Sequence, residues 1–140
     1  MIRVHAIECS GSMYCYIQKT FAALKNIARP EDFLIFFNTN VSKVQRWAEA
    51  SKAGHQAIKM NAGGQTNLTP VFDWMDARFL LPTDELIIYS DFYVGDMPVE
   101  DTYYTTRFVD LVDNNTIIYP NRNVYRIGEH NEGYQLIKKV

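Results

Sequence analysis

The chain has 140 residues, of which 47% are hydrophobic and 21% are charged, and its formal net charge is -2. This composition is typical of a globular protein, and the length predicts a single domain spanning residues 1–140. A charge so close to zero gives no general attraction to nucleic acid or to an anionic membrane. No apolar run approaches the roughly 20 residues that cross a bilayer, and the first residues lack the pattern of a secretory leader. We therefore expect an intracellular, cytoplasmic protein whose partners are neither membranes nor nucleic acid.

The first half of the chain alternates between apolar strands and an amphipathic helix. We predict a central strand at 2–7, a helix from Met13 that Pro30 ends, a buried strand at 33–37, a turn at 38–40, a polar edge strand from Val41 to Trp47, and a loop with a short helix over 49–62. Cys9 and Cys15 fall at the end of the first strand and inside the following helix. That placement disfavours a disulfide, so we expect two reduced and largely buried thiols.

The second half continues the alternation, with weaker patterns toward its end. Thr69 and Pro70 suit the cap and first turn of a helix whose apolar face runs from Leu68 to Phe79. After it we predict a buried strand at 86–89, a helix near 106–112, and strands at 116–119 and 124–127, while 133–140 fits either a strand or a short helix. Together these elements predict an α/β, Rossmann-like fold with a mostly parallel central sheet, one antiparallel edge hairpin and helices on both faces.

Polar residues follow two of the predicted strands and precede one helix. Glu8, Ser10 and Ser12 come directly after the first strand, Thr66 follows a glycine pair before the second long helix, and Asp91 follows the strand at 86–89. Ligands of open α/β sheets bind at the carboxyl ends of the strands, so we expect these side chains to converge. Carboxylates and hydroxyls so arranged suit a hard divalent cation such as Mg²⁺ or Mn²⁺.

These segments resemble the von Willebrand factor A-type domain with its metal-ion-dependent adhesion site. That family carries Asp-x-Ser-x-Ser after the first strand, a threonine in a glycine-rich loop, and an aspartate after the fourth strand. The matching stretches are Glu8 to Met13, Gly63 to Leu68, and Ser90-Asp91. They occur in the family's order on the predicted elements, and the resemblance covers roughly residues 2 to 127.

The resemblance implies a non-enzymatic protein-interaction module that binds its partner through a divalent cation, Mg²⁺ or else Mn²⁺ or Ca²⁺. Ser10, Ser12 and Thr66 would hold the cation through their hydroxyls, and Glu8 and Asp91 directly or through water. A coordination position would remain for an acidic residue of a partner protein. Small intracellular members of the family suggest a bacterial or viral setting and, by analogy, a partnership with a ring-forming AAA+ ATPase of the MoxR type. The oligomeric state is not predicted.

Two residues depart from the family pattern. Glu8 replaces the first aspartate and is longer by one methylene, so it either reaches the metal directly or hydrogen-bonds the loop with no metal present. Asn38 stands where related intracellular domains often carry an aspartate.

Other interpretations of the same residues stay open at this stage. Ser10 and Ser12, like Thr66, could simply cap the helices that follow them. An enzyme using Glu8, Asp91 and Asp96 would be a metal-dependent phosphoesterase or nuclease, although such sites usually gather more carboxylates. A structural subunit without metal is a third interpretation. No histidine is placed to activate a serine nucleophile.

Overall fold

The computed structural model describes residues 1–60, 66–79, 81–92, 94–96, 104–112 and 123–139. The strands are β1 (Arg3–Glu8), β2 (Phe33–Phe37), β3 (Val41–Arg46), β4 (Glu85–Ser90), β5 (Thr105–Asp110), β6 (Val124–His130) and β7 (Gly133–Lys138), and the helices are α1 (Ile17–Ile27), α2 (Trp47–Ala53) and α3 (Thr69–Asp76). Short 3-10 turns at Gly11–Met13 and His55–Ala57 precede α1 and follow α2. No helix of the described ranges is long and apolar enough to span a bilayer.

The seven strands form one sheet in the order β3-β2-β1-β4-β5-β6-β7. The five inner strands run parallel to one another, which places the carboxyl ends of β1 and β4 side by side. β3 pairs antiparallel with β2, and β7 pairs antiparallel with β6. The expected α/β architecture with a mostly parallel sheet is therefore confirmed. The expectation of one antiparallel hairpin is corrected, because each end of the sheet carries one.

Side chains on the inner strands alternate between two apolar layers, as a covered parallel sheet requires. On one face, Ile7 and Cys9 of the β1 segment pack with α1 and α2. On the other face, Val4 and Ala6 pack with α3. Helices therefore lie on both faces, as predicted. Because neither face of β1 meets water, the polar side chains of that strand must find partners inside the protein.

Several predicted elements shift in the structure. The helix expected from Met13 begins only at Ile17, because a 3-10 turn occupies the residues before it. The edge strand ends at Arg46, where Trp47 starts α2 and packs its ring against Phe21 at 5.6 Å. Residues 133–138 form a strand. The strand expected at 116–119 lies outside the described residues.

The helix predicted near 106–112 was wrong. Thr105–Asp110 forms a strand that pairs with β4 over all six residues. Its β-branched and aromatic side chains favour a pleated, half-buried setting, and Phe108 and Val109 fill opposite faces of the core. Sheet pairing thus overrides a helical spacing of apolar residues in so short a segment.

The cysteine prediction is correct in part. Both thiols are free, and Cys9 is buried, but Cys15 is exposed because it lies in the turn before α1 rather than inside the helix. Burial, together with the neighbouring Glu8, raises the pKa of Cys9 to about 12.

A buried polar chain crosses the core at His5, which is fully buried in β1. Its Nδ1 lies 2.9 Å from the Tyr89 hydroxyl and its Nε2 lies 2.9 Å from Asp32 Oδ2. Arg3 donates to the same Asp32 oxygen from 2.9 Å. Burial lowers the pKa of His5 and outweighs the opposing effect of Asp32. A neutral His5 ring that accepts a hydrogen bond from Tyr89 and donates one to Asp32 therefore satisfies every group in this hydrogen-bonded network.

Asp32 joins this chain to the loop before β2. Burial opposes its ionisation, but hydrogen bonds from His5, from the Arg29 N–H group and from Arg3 lower its pKa to about 2. Its carbonyl also accepts from the Trp47 N–H at 2.8 Å. Through its carboxylate and its backbone carbonyl, Asp32 thus ties β1, the end of α1 and the start of α2 together.

Replacing His5 with glutamine tests this buried chain. Glutamine cannot reproduce both ring hydrogen bonds, so we expect His5→Gln to lower the free energy of unfolding at pH 7.5 by about 1–3 kcal/mol. The folded-state pKa of His5 lies below its unfolded value of 6.5, so the wild type loses stability as pH falls below that value and the variant lacks this loss. The difference in unfolding free energy between the wild type and His5→Gln, measured by urea unfolding, should be smaller at pH 5.0 than at pH 7.5. His130→Gln, in an exposed hairpin turn, is the control, and a parallel pH dependence of wild type and His5→Gln would contradict the assignment.

Candidate functional site

The candidate site lies where β1 and β4 end beside each other. Ile7 of β1 pairs with Tyr89 of β4, and just beyond this pair the Ser90 hydroxyl donates a hydrogen bond to Glu8 Oε1. Asp91 follows immediately, and the turn Gly11–Met13 follows β1. The fold thus brings two segments that are about 80 residues apart in the chain to one edge of the sheet.

Hydroxyl groups link the two carboxylates at this edge. Ser10 donates to Glu8 Oε2. The Ser10 and Ser12 hydroxyl oxygens lie 2.9 Å apart, and Ser12 donates to Asp91 Oδ2 at 2.7 Å. The cluster therefore runs without interruption from Glu8 through both serines to Asp91.

Glu8 lies at the buried end of this cluster, with only 1% of its surface exposed. Its Oε1 accepts a hydrogen bond from Ser90 at 2.6 Å, and the Thr66 side chain also hydrogen-bonds its carboxyl. Burial raises the pKa of Glu8, the nearby Asp91 adds to that effect, and the hydrogen bonds from the hydroxyls oppose it. Three hydroxyls around one carboxylate are the compensation that a buried charge requires.

All five residues predicted from the sequence therefore meet in one place. Glu8, Ser10, Thr66 and Asp91 are buried, whereas Ser12, in the middle of the cluster, is exposed. Solvent thus reaches the cluster from the Ser12 side.

The helix-capping interpretation fails for these hydroxyls. Neither the 3-10 turn nor α1 has a side-chain cap, and both serine hydroxyls are engaged in the carboxylate cluster instead. Thr69 does not cap α3 as predicted, because it is already inside the helix and Leu68 occupies the cap position.

The cap of α3 comes from a distant residue. Asp96 accepts hydrogen bonds from the Leu68 and Thr69 N–H groups, the latter at 3.1 Å. Burial opposes ionisation of Asp96, but the bonds from Thr69 and Leu68 outweigh it and lower its pKa. Both oxygens of this carboxylate are therefore engaged by the first turn of a helix, where negative charge is also favoured by the helix dipole.

The loop that carries Thr66 is fixed by its backbone on two sides. The Asn67 N–H donates to the Asn38 carbonyl at 2.8 Å, and the Gly95 N–H donates to the Thr66 carbonyl at 2.7 Å. Asn38 thus contributes through its backbone to the positioning of this loop. Residues 63–65, the glycine pair and Gln65 of the predicted motif, lie outside the described residues.

Two further residues shape the site, Ser90 and Phe92, although the sequence did not predict either of them as a metal ligand. Ser90 bridges Glu8 to the next loop, because its hydroxyl oxygen also accepts from the Phe92 N–H at 2.8 Å. Phe92 has a φ of 59°, a left-handed conformation that costs a non-glycine residue about 1–2 kcal/mol. Its ring packs against Phe108 at 5.8 Å, which helps to hold this turn. Glu8 and Ser90 are the last residues of two adjacent strands, β1 and β4. That equivalent position could have predicted that Ser90 contacts Glu8.

The donors of this cluster are all oxygen atoms, which hard divalent cations prefer. Within the described ranges, no three His, Cys, Asp or Glu side chains are grouped to hold a metal. A cation here would therefore depend on hydroxyl oxygens beside the carboxylates of Glu8 and Asp91. The residues present fit that requirement, since a hydroxyl can donate its hydrogen to a carboxylate and still offer a lone pair.

Comparison of the chain with protein-family models, with curated proteins and with solved structures found no match.

Shortening Glu8 by one methylene tests its place at the centre of the cluster. Glu8→Asp cannot reach Ser10, Ser90 and Thr66 together, so we expect metal-free protein to lose about 1–3 kcal/mol of unfolding free energy. Urea unfolding in the presence of EDTA measures this loss. Glu49→Asp, at an exposed position of α2, is the matched control. Equal unfolding midpoints for Glu8→Asp and wild type would show that the hydroxyl contacts contribute little.

Removing the Asp96 carboxylate tests the distant cap. We expect Asp96→Ala to destabilise the fold by about 0.5–2 kcal/mol at pH 7, since two N–H groups lose their acceptor. Because the folded-state pKa of Asp96 is lowered, this difference should shrink as pH falls below its usual value of 3.8. Asp73→Ala, exposed on the same helix, serves as control. A destabilisation no larger than that of the control would refute the cap.

Proposed function

We propose that this protein is a von Willebrand factor A-type interaction module that captures a partner protein through a divalent cation held at the Glu8–Asp91 cluster. The observation that carries the proposal is the convergence of Glu8, Ser10, Ser12, Thr66 and Asp91 in one hydrogen-bonded group. The mostly parallel sheet, the antiparallel edge at β3 and the helices on both faces agree with this family's fold.

The residues of the cluster divide into two roles in this proposal. Ser10, Ser12 and Thr66 offer hydroxyl oxygens to the cation, and Glu8 and Asp91 accept hydroxyl hydrogens, which orients the serines and concentrates negative charge. The longer Glu8 side chain is accommodated by Ser90, which engages its second oxygen. The bound cation, Mg²⁺ or else Mn²⁺ or Ca²⁺, would supply electrostatic attraction for a carboxylate of the partner.

A binding role is favoured over catalysis by the number and use of the carboxylates. Metal-dependent hydrolases of phosphoesters commonly clamp one or two ions with several carboxylates. In this cluster Glu8 is surrounded by hydroxyls, and Asp96 is engaged by the start of α3. We therefore propose a non-enzymatic intracellular adaptor, with a AAA+ ATPase of the MoxR type as a partner class suggested by analogy.

Metal-dependent thermal stability tests this function. We expect the melting temperature of chelator-stripped protein to rise in a saturable manner with Mg²⁺, Mn²⁺ or Ca²⁺, because a ligand selective for the folded state stabilises it by about 2.7 kcal/mol at one hundred times its dissociation constant. Asp91→Ala and Ser12→Ala should abolish the rise. Ser51→Ala, exposed on α2, should retain it.

The same titration can reject the proposal. No rise with any of the three metals at millimolar concentration, or an equal rise in Asp91→Ala, would exclude this cluster as the metal site. Turnover of a phosphoester by the wild type that Asp91→Ala lacks would favour the enzyme instead.

A further inference from the structure

Two cavities lie on the α1 side of the sheet. The first, of about 260 Å³, begins at Tyr14, two residues after Ser12, and includes Ile17 and Ile58 in its lining. The second, of about 180 Å³, is lined by Phe36, Ser42, Lys43, Ile58 and Lys59. Both include Ile58 in their lining, so the two cavities adjoin. Together they are here called the lysine groove, which extends from Tyr14 to edge strand β3.

The lysine groove has an apolar floor and basic walls. Ile17 and Phe36 are buried at its base, and Tyr14 is 72% exposed at the end near Ser12. Lys43 and Lys59 are exposed in the second cavity. Within the described ranges, no Asp or Glu lines either cavity and neither lysine has a carboxylate at ion-pair distance. Negative charge supplied from outside would therefore be favoured here.

The size of the cavities limits the kind of occupant. Pockets that enclose drug-sized ligands usually measure about 300–1,000 Å³. Each cavity of the lysine groove is smaller, which suits single side chains presented in succession by a peptide. The groove also ends at β3, the last strand on that side of the described sheet, where an extended chain can find exposed backbone groups.

We propose that the lysine groove docks an extended acidic segment of a partner protein. Apolar side chains of the segment fill the two cavities, and its carboxylates pair with Lys43 and Lys59. At the Tyr14 end the segment reaches the Glu8–Asp91 cluster, where a further carboxylate meets the cation; this last contact alone rests on the proposed function.

Selection from a random twelve-residue peptide library displayed on phage tests the docking. The immobilised full chain is panned in Mg²⁺ and, separately, in EDTA, and enriched peptides are synthesised for titration. We expect enriched peptides to combine Asp or Glu with apolar residues. Their affinity should fall by about tenfold or more for Lys43→Glu/Lys59→Glu, a change of about 1.4 kcal/mol or more. Lys25→Glu/Lys138→Glu changes net charge equally at exposed positions elsewhere and should bind nearly as the wild type.

The possible outcomes distinguish peptide binding at the lysine groove from peptide binding at the proposed metal site. Acidic peptides that need the two lysines but bind equally in EDTA, and to Asp91→Ala, would support the groove while the proposed function fails. Peptides that need Asp91 and Mg²⁺ but bind Lys43→Glu/Lys59→Glu as well as wild type would overturn the groove and leave the proposed function standing. An absence of acidic enrichment also overturns it, as does lysine-dependent binding of a single-stranded oligonucleotide more tightly than of any selected peptide. Circular dichroism of each variant confirms that the fold is retained.

Discussion

The buried carboxylate of Glu8 is the group on which the architecture of the site depends. A negative charge at the end of a central strand, almost fully removed from water, is costly unless hydrogen-bond donors surround it. Ser10, Ser90 and Thr66 supply those donors from three different segments. Satisfying one carboxylate therefore fixes the relative positions of the loops after β1 and β4 and before α3, and the proposed cation site follows from that arrangement.

The same central strand carries a second buried polar group, and the two are satisfied in different ways. His5 stays neutral within a chain of neutral and charged partners that includes Tyr89 and Asp32. Glu8 instead gathers hydroxyls, which are donors and acceptors at once. The Glu8 cluster includes the exposed Ser12, whose hydroxyl keeps a lone pair for a further ligand, whereas His5 and Tyr89 are fully buried. The Glu8 end is therefore open to a ligand, and the His5 end serves the fold.

The lysine groove would extend the contact with a partner from the proposed cation site to a larger surface. A cation with a vacant position attracts any carboxylate, so the metal alone gives affinity with little selectivity. A groove with an apolar floor and two exposed lysines beside it would add the discrimination that the proposed cation lacks. Edge strand β3, which borders the groove, also offers backbone hydrogen bonds that do not depend on the partner's sequence.

The sequence by itself determined β1, β2 and β4, helix α3 and the convergence of the five cluster residues, because these depend on local patterns: continuous apolar runs for strands covered on both faces, helical spacing from Leu68 to Met75, and polar residues next to the ends of strands. Tertiary structure decided what such patterns leave open. Thr105–Asp110 became a strand because β4 offered a full pairing edge, and 133–138 became a strand because β6 did the same. Ser90 joined the site, and Asp96 capped α3 in place of Thr69, through contacts between residues 82 and 28 positions apart. Pairing and capping over such distances depend on how elements meet in space, which no local pattern encodes.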